Sequence, residues 1–187
     1  MLDRQKTILQ AATGVFSKYG FKRATMNDIA AEAGVARQTL YNTFNNKEAI
    51  LKAIIEAYVE DTCVSFKAHL ASGHSLEDGL ELAFDHFARK PYELIHRTSH
   101  GGEIMEAFET AAGEEMAASR QRFSDAMVTL LTPHVDEDAP DTLSVDRLAD
   151  FVVHTAMGHK AKAASQDHLE QLLSTLKTVI LKSINRP

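Results

Sequence analysis

The sequence has a single cysteine, Cys63, so an internal disulfide bond is impossible. We interpret Cys63 as a small apolar side chain on a helix, with a redox-sensing thiol as the alternative. No apolar run approaches the roughly 18 residues that a membrane-spanning helix needs. The charged N-terminus also lacks the apolar core of a signal peptide. These absences favour a globular protein of the cytoplasm.

Alternating runs of β-branched residues are missing too, and no hairpin dipeptide separates two strand-like segments. Apolar residues instead recur every three to four positions, which predicts an all-α protein. Helices are predicted at residues 3–19, 25–33, 36–43, 45–70, 75–89, 92–99, 103–112, 114–132, 144–163 and 166–185. We expect Pro91 to break a helix, and the acidic segment Pro133–Thr142 to form an exposed loop.

Two helix starts carry capping signals. Thr25 is followed three residues later by Asp28, and Asn45 is followed at the same spacing by Glu48. Gly20 follows the first helix, where a left-handed residue is common. The second and fourth helices are therefore expected to begin at Thr25 and Asn45.

Charge is distributed unevenly along the chain. The net charge is −6, but residues 1–47 hold seven Lys or Arg and three acidic residues, a charge of +4. The remainder holds 13 basic and 23 acidic residues, a charge of −10. This asymmetry indicates that residues 1–47 form a small basic head, which binds a polyanion, and that the remainder, the body of the protein, has a different function.

Residues 25–44 are typical of a helix, a tight turn and a second helix. Gly34 permits the turn, while Ala30 and Ala33 let the two helices approach closely. The outward face of the second of these helices is polar and free of acidic residues; it consists of Arg37, Gln38, Thr39, Tyr41 and Asn42. Such a face suits the major groove of DNA, although an ordinary helical hairpin with a solvated face is the alternative.

The full motif consists of Thr25, Asp28, Ile29, Ala30, Ala33, Gly34, Val35, Thr39, Leu40, Tyr41, Phe44, Lys47 and Glu48. This pattern resembles the DNA-binding signature of the TetR (tetracycline-repressor-like) family of bacterial repressors, over roughly residues 5–55. The resemblance implies an N-terminal three-helix helix-turn-helix domain at residues 1–46. It also implies a helical domain for effector binding and dimerisation at residues 47–187.

The resemblance assigns roles by position. The base-reading or groove-facing residues are then Arg37, Gln38, Thr39 and Asn42. The phosphate anchors are Thr25, Tyr41 and Lys47, with Lys22 and Arg23 adding nonspecific attraction. Two residues depart from the pattern: Ala36 removes an N-cap, a loss of about 1 kcal/mol, and Thr43 replaces a frequent aromatic or histidine.

The C-terminal helices are predicted to join two copies into a homodimer, as two helices per subunit do in the family. Two stripes supply the expected interface: Leu148, Phe151, Val152, Thr155 and His159 on one helix, and Leu169, Leu172, Leu173, Leu176 and Ile180 on the next. The alternative is that these stripes face only the subunit's own core. In the homodimer, the two DNA-binding domains would together read a palindromic operator in double-stranded DNA.

The body is expected to bind an unidentified small effector, and no cofactor is required. Candidate pocket residues are Phe84, Phe87, Met105, Phe108, Phe123, Met127 and Phe151, although such side chains are more often plain core. They hint at an apolar or aromatic ligand, and Arg97 or Arg120 is a candidate partner for a ligand carboxylate. His96 and His100 would share a helix face if the helix reached that far, but no tight cluster of metal ligands is present.

The leading interpretation is a ligand-released repressor. An activator, or a broad DNA-organising protein of the same fold, is the alternative. An enzyme is disfavoured, because no nucleophile with its base, phosphate-binding loop or metal motif is found.

Overall fold

The computed structural model describes residues 3–136 and 143–184, and every regular element within these two ranges is helical. The α-helices are α1 (Asp3–Tyr19), α2 (Met26–Glu32), α3 (Arg37–Thr43), α4 (Lys47–Ala71), α5 (Leu76–Phe84), α6 (Lys90–Arg97), α7 (Gly101–Ala111), α8 (Gly113–Leu131), α9 (Val145–Lys162) and α10 (Gln166–Ile184). A π-helical segment, Asp85–Arg89, joins α5 to α6, and a 3-10 turn follows α8. The all-α prediction is confirmed. Most of the predicted acidic loop, and the last residue of the predicted final helix, lie outside the described residues.

The chain divides into two compact units. The first contains the residues up to Tyr58 together with Leu94–Ser119, and the second contains Val59–Glu93 together with the described residues from Arg120 onward. The helix-turn-helix therefore shares its unit with α7, which lies more than 50 positions further along the sequence. The functional boundary near residue 46 stays a prediction.

The core of the first unit is built around α1. Its residues Ile8, Ala12, Val15 and Phe16 recur at helical spacing and are buried. They share one apolar cluster with the inner sides of α2, α3 and the start of α4, and Ile104 of α7 belongs to the same cluster. Burial of this apolar face is what fixes the helix-turn-helix on α1, because short helices have little stability of their own.

The core of the second unit contains three packed aromatic rings. The ring centroid of Phe87, in the π-helical segment, lies 5.8 Å from that of Phe66 on α4 and 4.7 Å from that of Phe123 on α8. All three side chains are buried. Aromatic pairs at such distances add to the stability that burial alone provides.

An ion-pair network centred on Arg89 fastens the π-helical segment to α5 and α10. Its guanidinium donates to Glu170 at 2.9 Å, to Asp85 at 2.8 Å and to Glu81 at 2.8 Å. Burial disfavours the charged form, but the hydrogen bonds to these carboxylates outweigh it and raise the pKa of Arg89. Arg89 therefore stays charged and holds three helical elements together.

The start of α4 differs from the prediction by one residue and by its cap. Asn46 is the capping residue, and its Oδ1 accepts a hydrogen bond of 2.8 Å from the backbone N–H of Ala49. The expected cap at Asn45 with Glu48 as partner is therefore wrong. A neighbouring asparagine offers the same short acceptor, so the pattern could not distinguish the two positions.

Pro91 does not break a helix, contrary to the prediction. It lies in the first turn of α6, and helical structure is continuous from α5 through Asp85–Arg89 into α6. A proline ring normally clashes with the carbonyl four residues earlier. Here the backbone N–H of Lys90 bonds to the carbonyl of Asp85, a wider turn that relieves this crowding just before the proline.

Candidate nucleic-acid interface

The turn between α2 and α3 is fixed by backbone hydrogen bonds and one left-handed residue. Gly34 has φ of +64°, which glycine adopts without steric cost. The N–H of Gly34 donates to Ala31 and that of Val35 donates to Ala30, at 3.2 and 3.0 Å. These hydrogen bonds give partners to the last carbonyl groups of α2, and the turn directs the chain into α3.

The N-terminus of α2 carries the predicted capping box. The N–H of Asp28 donates to Thr25 Oγ1 at 3.2 Å, and the N–H and hydroxyl of Thr25 donate to Asp28 Oδ2 at 2.9 and 2.6 Å. The hydrogen bonds from the Thr25 hydroxyl and N–H lower the pKa of the Asp28 carboxyl. Both donors of Thr25 are thus used in capping α2, and its expected role as a phosphate anchor stays a prediction.

The two sides of α3 have different tasks. Leu40 is fully buried and Phe44, directly after the helix, is 9% exposed, so both anchor α3 to the core. The opposite side consists of the exposed residues Arg37, Gln38, Tyr41 and Asn42, with Thr39 half-buried beside them. Four of the five residues predicted for the outward face of this helix are therefore presented to solvent.

Two pairs of side chains organise this exposed side. Gln38 Nε2 donates to Asn42 Oδ1 at 2.9 Å, one helical turn away. The guanidinium carbon of Arg37 lies 5.4 Å from the centre of the Tyr41 ring, which is within the range of a cation–π contact. Each pair restrains two side chains on the exposed side of the helix.

The two departures from the family pattern have structural counterparts. Ala36 is the N-cap of α3 and makes no side-chain capping hydrogen bond. The Thr43 hydroxyl donates to the carbonyl of Thr39 at 2.9 Å, so it is used within the helix.

The ammonium group of Lys47 bonds to three backbone carbonyl groups, which the sequence did not predict. Its Nζ lies 2.7 Å from the carbonyl oxygen of Phe21, 3.1 Å from that of Lys22 and 3.3 Å from that of Ala24. An ammonium group has three N–H donors, so these carbonyls account for all of them. Lys47 is thus a clamp on the α1–α2 connection, and its expected role as a direct phosphate anchor stays a prediction.

A recess lies where the first turn of α1 meets the end of α3. It has a volume of about 590 Å³ and is lined by Asp3, Arg4, Gln5, Asn42 and Thr43. Arg4 is exposed, and its guanidinium can bind phosphate oxygens in the fork geometry that arginine favours. Sequence analysis missed Arg4 as a candidate contact, because only the fold brings it to Asn42.

Lys22 and Arg23 were expected to add nonspecific attraction to DNA. Lys22 instead makes an ion pair and a hydrogen bond with residues of α7. Its Nζ lies 3.0 Å from Glu106 Oε2, and its backbone N–H donates to Glu103. The hydrogen bond to Glu106 and the attraction between the opposite charges raise the pKa of Lys22. Part of the positive charge of the head is therefore neutralised within the first unit. Arg23 is exposed.

The candidate pocket residues do not form one cluster. Phe84, Phe87, Phe123 and Met127 are buried in the second unit, whereas Met105 and Phe108 are half-buried on α7 in the first, and Phe151 is 52% exposed on α9. The four buried residues share their unit with a polar pair: Thr62 Oγ1 lies 2.9 Å from His86 Nδ1. Sequence analysis gave His86 no defined role.

The histidines give no metal centre in the part of the chain that the structure describes, where no group of three or more His, Cys, Asp or Glu side chains could hold an ion. His96 and His100 do not share a helix face, because α6 ends at Arg97 and His100 precedes α7. Among the described helices, none combines the length and the apolar character that crossing a membrane requires.

The predicted dimer stripes are largely internal. Six of their ten residues are buried within the single chain: Leu148, Val152, Leu169, Leu173, Leu176 and Ile180. They belong to the core of the second unit, where α9 and α10 pack against each other. The accessible members are Phe151, Thr155 and His159 at four-residue spacing on α9, and Leu172 on α10, where Val179 is also 51% exposed.

Comparison with known proteins agrees with this geometry. Residues 8–54 match the family described as bacterial regulatory proteins, tetR family. The HTH-type transcriptional regulator YhgD of Bacillus subtilis is 38% identical over 60 residues, which are 32% of this chain and 31% of that protein. The chain thus matches less than half the length of the first curated relatives.

Two comparisons extend over the whole length. The HTH-type transcriptional regulator EthR of Mycolicibacterium smegmatis is 25% identical over 192 residues, 97% of this chain and 86% of that protein. The structure of the regulator FadR from Bacillus subtilis in complex with stearoyl-CoA superimposes with a TM-score of 0.68 at 16% identity, covering 96% of this chain and 97% of that one. The second likeness shows the fold alone. The helix-turn-helix of residues 8–54 is thus that of the tetR family of bacterial regulatory proteins, and the all-helical fold is shared with a regulator of the TetR/AcrR family from Thermobifida fusca.

Proposed function

We propose that this chain is a transcriptional repressor that binds a palindromic DNA operator as a homodimer and is released by a small molecule. The observation that carries the proposal is the exposed side of α3. Arg37, Gln38, Tyr41 and Asn42 face solvent there, and α3 itself contains no acidic residue. Base edges in the major groove present donors and acceptors that such side chains bind.

The charge distribution supports DNA as the partner of the first 47 residues. This segment carries +4, whereas the rest of the chain carries −10. Attraction to phosphates would therefore orient the molecule with α3 towards DNA. The direct phosphate contacts that we propose are the Tyr41 hydroxyl and the Arg4 guanidinium.

The proposed dimer surface is the exposed side of α9 and α10. Phe151 and Val179 are each about half exposed, although both are large apolar residues. A symmetric interface brings the same surface patch of both copies together, so Phe151 and Val179 of each subunit would be buried against the other subunit. Two joined heads can read the two halves of a palindrome, which one short helix cannot do with useful specificity.

The proposed effector has a long apolar portion. The second unit offers the buried rings of Phe66, Phe87 and Phe123, together with the polar pair Thr62 and His86. FadR of Bacillus subtilis, which shares this fold, was crystallised with stearoyl-CoA. A long-chain acyl-CoA is therefore the first effector that we would test. To act as an effector it must bind the DNA-free form more tightly.

The test is selection of bound sequences from a random DNA pool, with the mass of the free and DNA-bound protein measured alongside. We expect a palindromic site that is bound by two or a higher even number of copies. Stearoyl-CoA and a panel of apolar compounds are then added to the complex, and release of the DNA is followed. Binding that is salt-sensitive but blind to sequence would support the broad DNA-organising alternative and refute the proposal.

A further inference from the structure

We infer that Gln38 and Asn42 read the operator as one hydrogen-bonded unit, which specifies adenine at the base met by Gln38 and a guanine or thymine at the neighbouring base met by Asn42. The inference rests on the proposed function and goes beyond it, since it names bases in each half-site. It follows from the 2.9 Å hydrogen bond between the two side-chain amides and from the amide donors and acceptor that this bond does not use.

The bond fixes the polarity of the Gln38 amide. A glutamine amide has two N–H donors and one carbonyl oxygen, and one of the donors goes to Asn42 Oδ1. One N–H and the carbonyl oxygen remain. Adenine presents the complementary set in the major groove, an acceptor at N7 and a donor at N6. An unpaired amide could turn over and exchange its donor and acceptor, but the Gln38 amide loses its bond to Asn42 Oδ1 if it turns over alone.

The same bond leaves Asn42 as a donor. Its carbonyl oxygen already accepts from Gln38, so the two N–H groups of its amide are what it can offer to DNA. Guanine offers acceptors at N7 and O6, and thymine offers one at O4. Adenine places a donor at N6 beside its N7 acceptor, and cytosine presents a donor at N4. Asn42 therefore favours guanine or thymine and disfavours cytosine.

The pair lies on the accessible side of α3, where readout is expected. Gln38 and Asn42 are both exposed, while Leu40 between them is fully buried and fixes the rotation of the helix. Pairing two flexible side chains before DNA arrives reduces the entropy that binding must remove. The two residues should consequently act together, and their contributions should not be additive.

The experiment measures affinity for the selected operator and for each single-base replacement at the two positions. The proteins are the wild type, Gln38→Ala, Asn42→Ala, the double variant and Asn42→Asp, with the exposed Asn45→Ala as control and circular dichroism to confirm folding. In the wild type, we expect adenine to be preferred by about tenfold at the Gln38 position. Asn42→Ala should weaken that preference although Gln38 is intact.

Asn42→Asp separates the two roles of Asn42. It keeps an acceptor for Gln38 and removes the donors, so the adenine preference should persist while the preference for guanine or thymine is lost. An adenine preference that is unchanged in Asn42→Ala, additive losses in the double variant, or another base at the Gln38 position would each overturn the inference. A wild type without any sequence preference would instead overturn the proposed function, and this inference with it.

Discussion

The ammonium nitrogen of Lys47 lies 2.7 Å from the backbone carbonyl oxygen of Phe21 and 4.7 Å from the centre of its ring. Lys47 is the first residue of α4, and Phe21 belongs to the connection that follows α1. The first turn of α4 thus holds the segment that leads into the helix-turn-helix. Lys47 is a structural residue of the head, whatever its charge contributes to DNA binding.

Replacing Lys47 should destabilise the first unit. We expect Lys47→Ala to lower the free energy of unfolding by about 2 kcal/mol, because charged hydrogen bonds to three carbonyls are lost and those carbonyls are left without their partner. Urea denaturation measures this change. Lys67→Ala, at an exposed position of the same helix, is the matched control and should change stability by less than about 0.5 kcal/mol. Equal stability of the two variants would contradict the clamp.

Glu106 should weaken DNA binding through Lys22. The ion pair joins exposed side chains, so its removal should raise affinity modestly, by about two- to fivefold at low salt. Glu106→Gln removes the negative charge and keeps the shape, and Glu109→Gln on the same helix is the control. Fluorescence anisotropy with a labelled duplex gives both affinities. The gain should disappear at high salt, and a gain of equal size in both variants would show that pairing with Lys22 is irrelevant.

Tyr41 should have two separable roles. Tyr41→Phe keeps the ring under Arg37 and removes the hydroxyl, so we expect weaker binding to all sequences with unchanged base preference. Tyr41→Ala also removes the ring, so the base preference at the Arg37 position should relax by about 1 kcal/mol. Comparing selected and base-replaced duplexes measures both effects. Identical base preferences in the two variants would show that the ring does not position Arg37.

Phe151 should be essential for dimerisation. Phe151→Glu places a charge in the proposed symmetric interface, where a second copy would bring an equal charge opposite it. We expect the protein's mass in solution to fall to that of one chain. Val64→Glu, at an α4 residue that is 54% exposed, is a matched control and should keep the mass unchanged. A Phe151→Glu protein that remains dimeric would place the interface elsewhere.

His86 should make stability fall on acidification. Burial, and then the nearby charge of Lys90, lower the pKa of His86 below its ordinary value of 6.5. The unfolded chain therefore binds the proton more readily, so this contribution is complete above pH 6.5 and is lost as the pH falls towards the folded-state pKa. Urea denaturation at pH 7.5 and 5.5 should show a smaller loss for His86→Gln than for the wild type. The exposed His134→Gln should behave like the wild type, and the same loss in all three proteins would contradict the account.

The sequence was sufficient for the all-helical fold and for the exposed side of α3, because these depend on local signals, but it misplaced the start of α4 and a helix break at Pro91. Gly34 at a left-handed turn and Thr25 with Asp28 at a helix start act over three or four residues. Lys47 and Phe21 lie 26 positions apart, so no local pattern reports their contact. Arg4 and Asn42 are likewise brought together only by the fold.

The C-terminal stripes show a different limit. Regular spacing identified Leu173 and Ile180 as residues of an apolar face, and both are indeed fully buried. Periodicity does not reveal whether such a face meets its own chain or a second copy. Burial within the single chain shows that Leu173 and Ile180 meet their own chain, whereas Phe151 on α9 and Val179 on α10 are about half exposed.

The central claim is that α3 reads DNA sequence, and competition between two duplexes tests it most directly. The selected palindrome is compared with a duplex of the same composition whose half-sites are scrambled, at physiological salt. We predict that the wild type prefers the palindrome by at least about a thousandfold, and that Arg37→Ala loses part of this preference while it still binds both duplexes. Affinities within tenfold of each other, unchanged by Arg37→Ala, would contradict the claim.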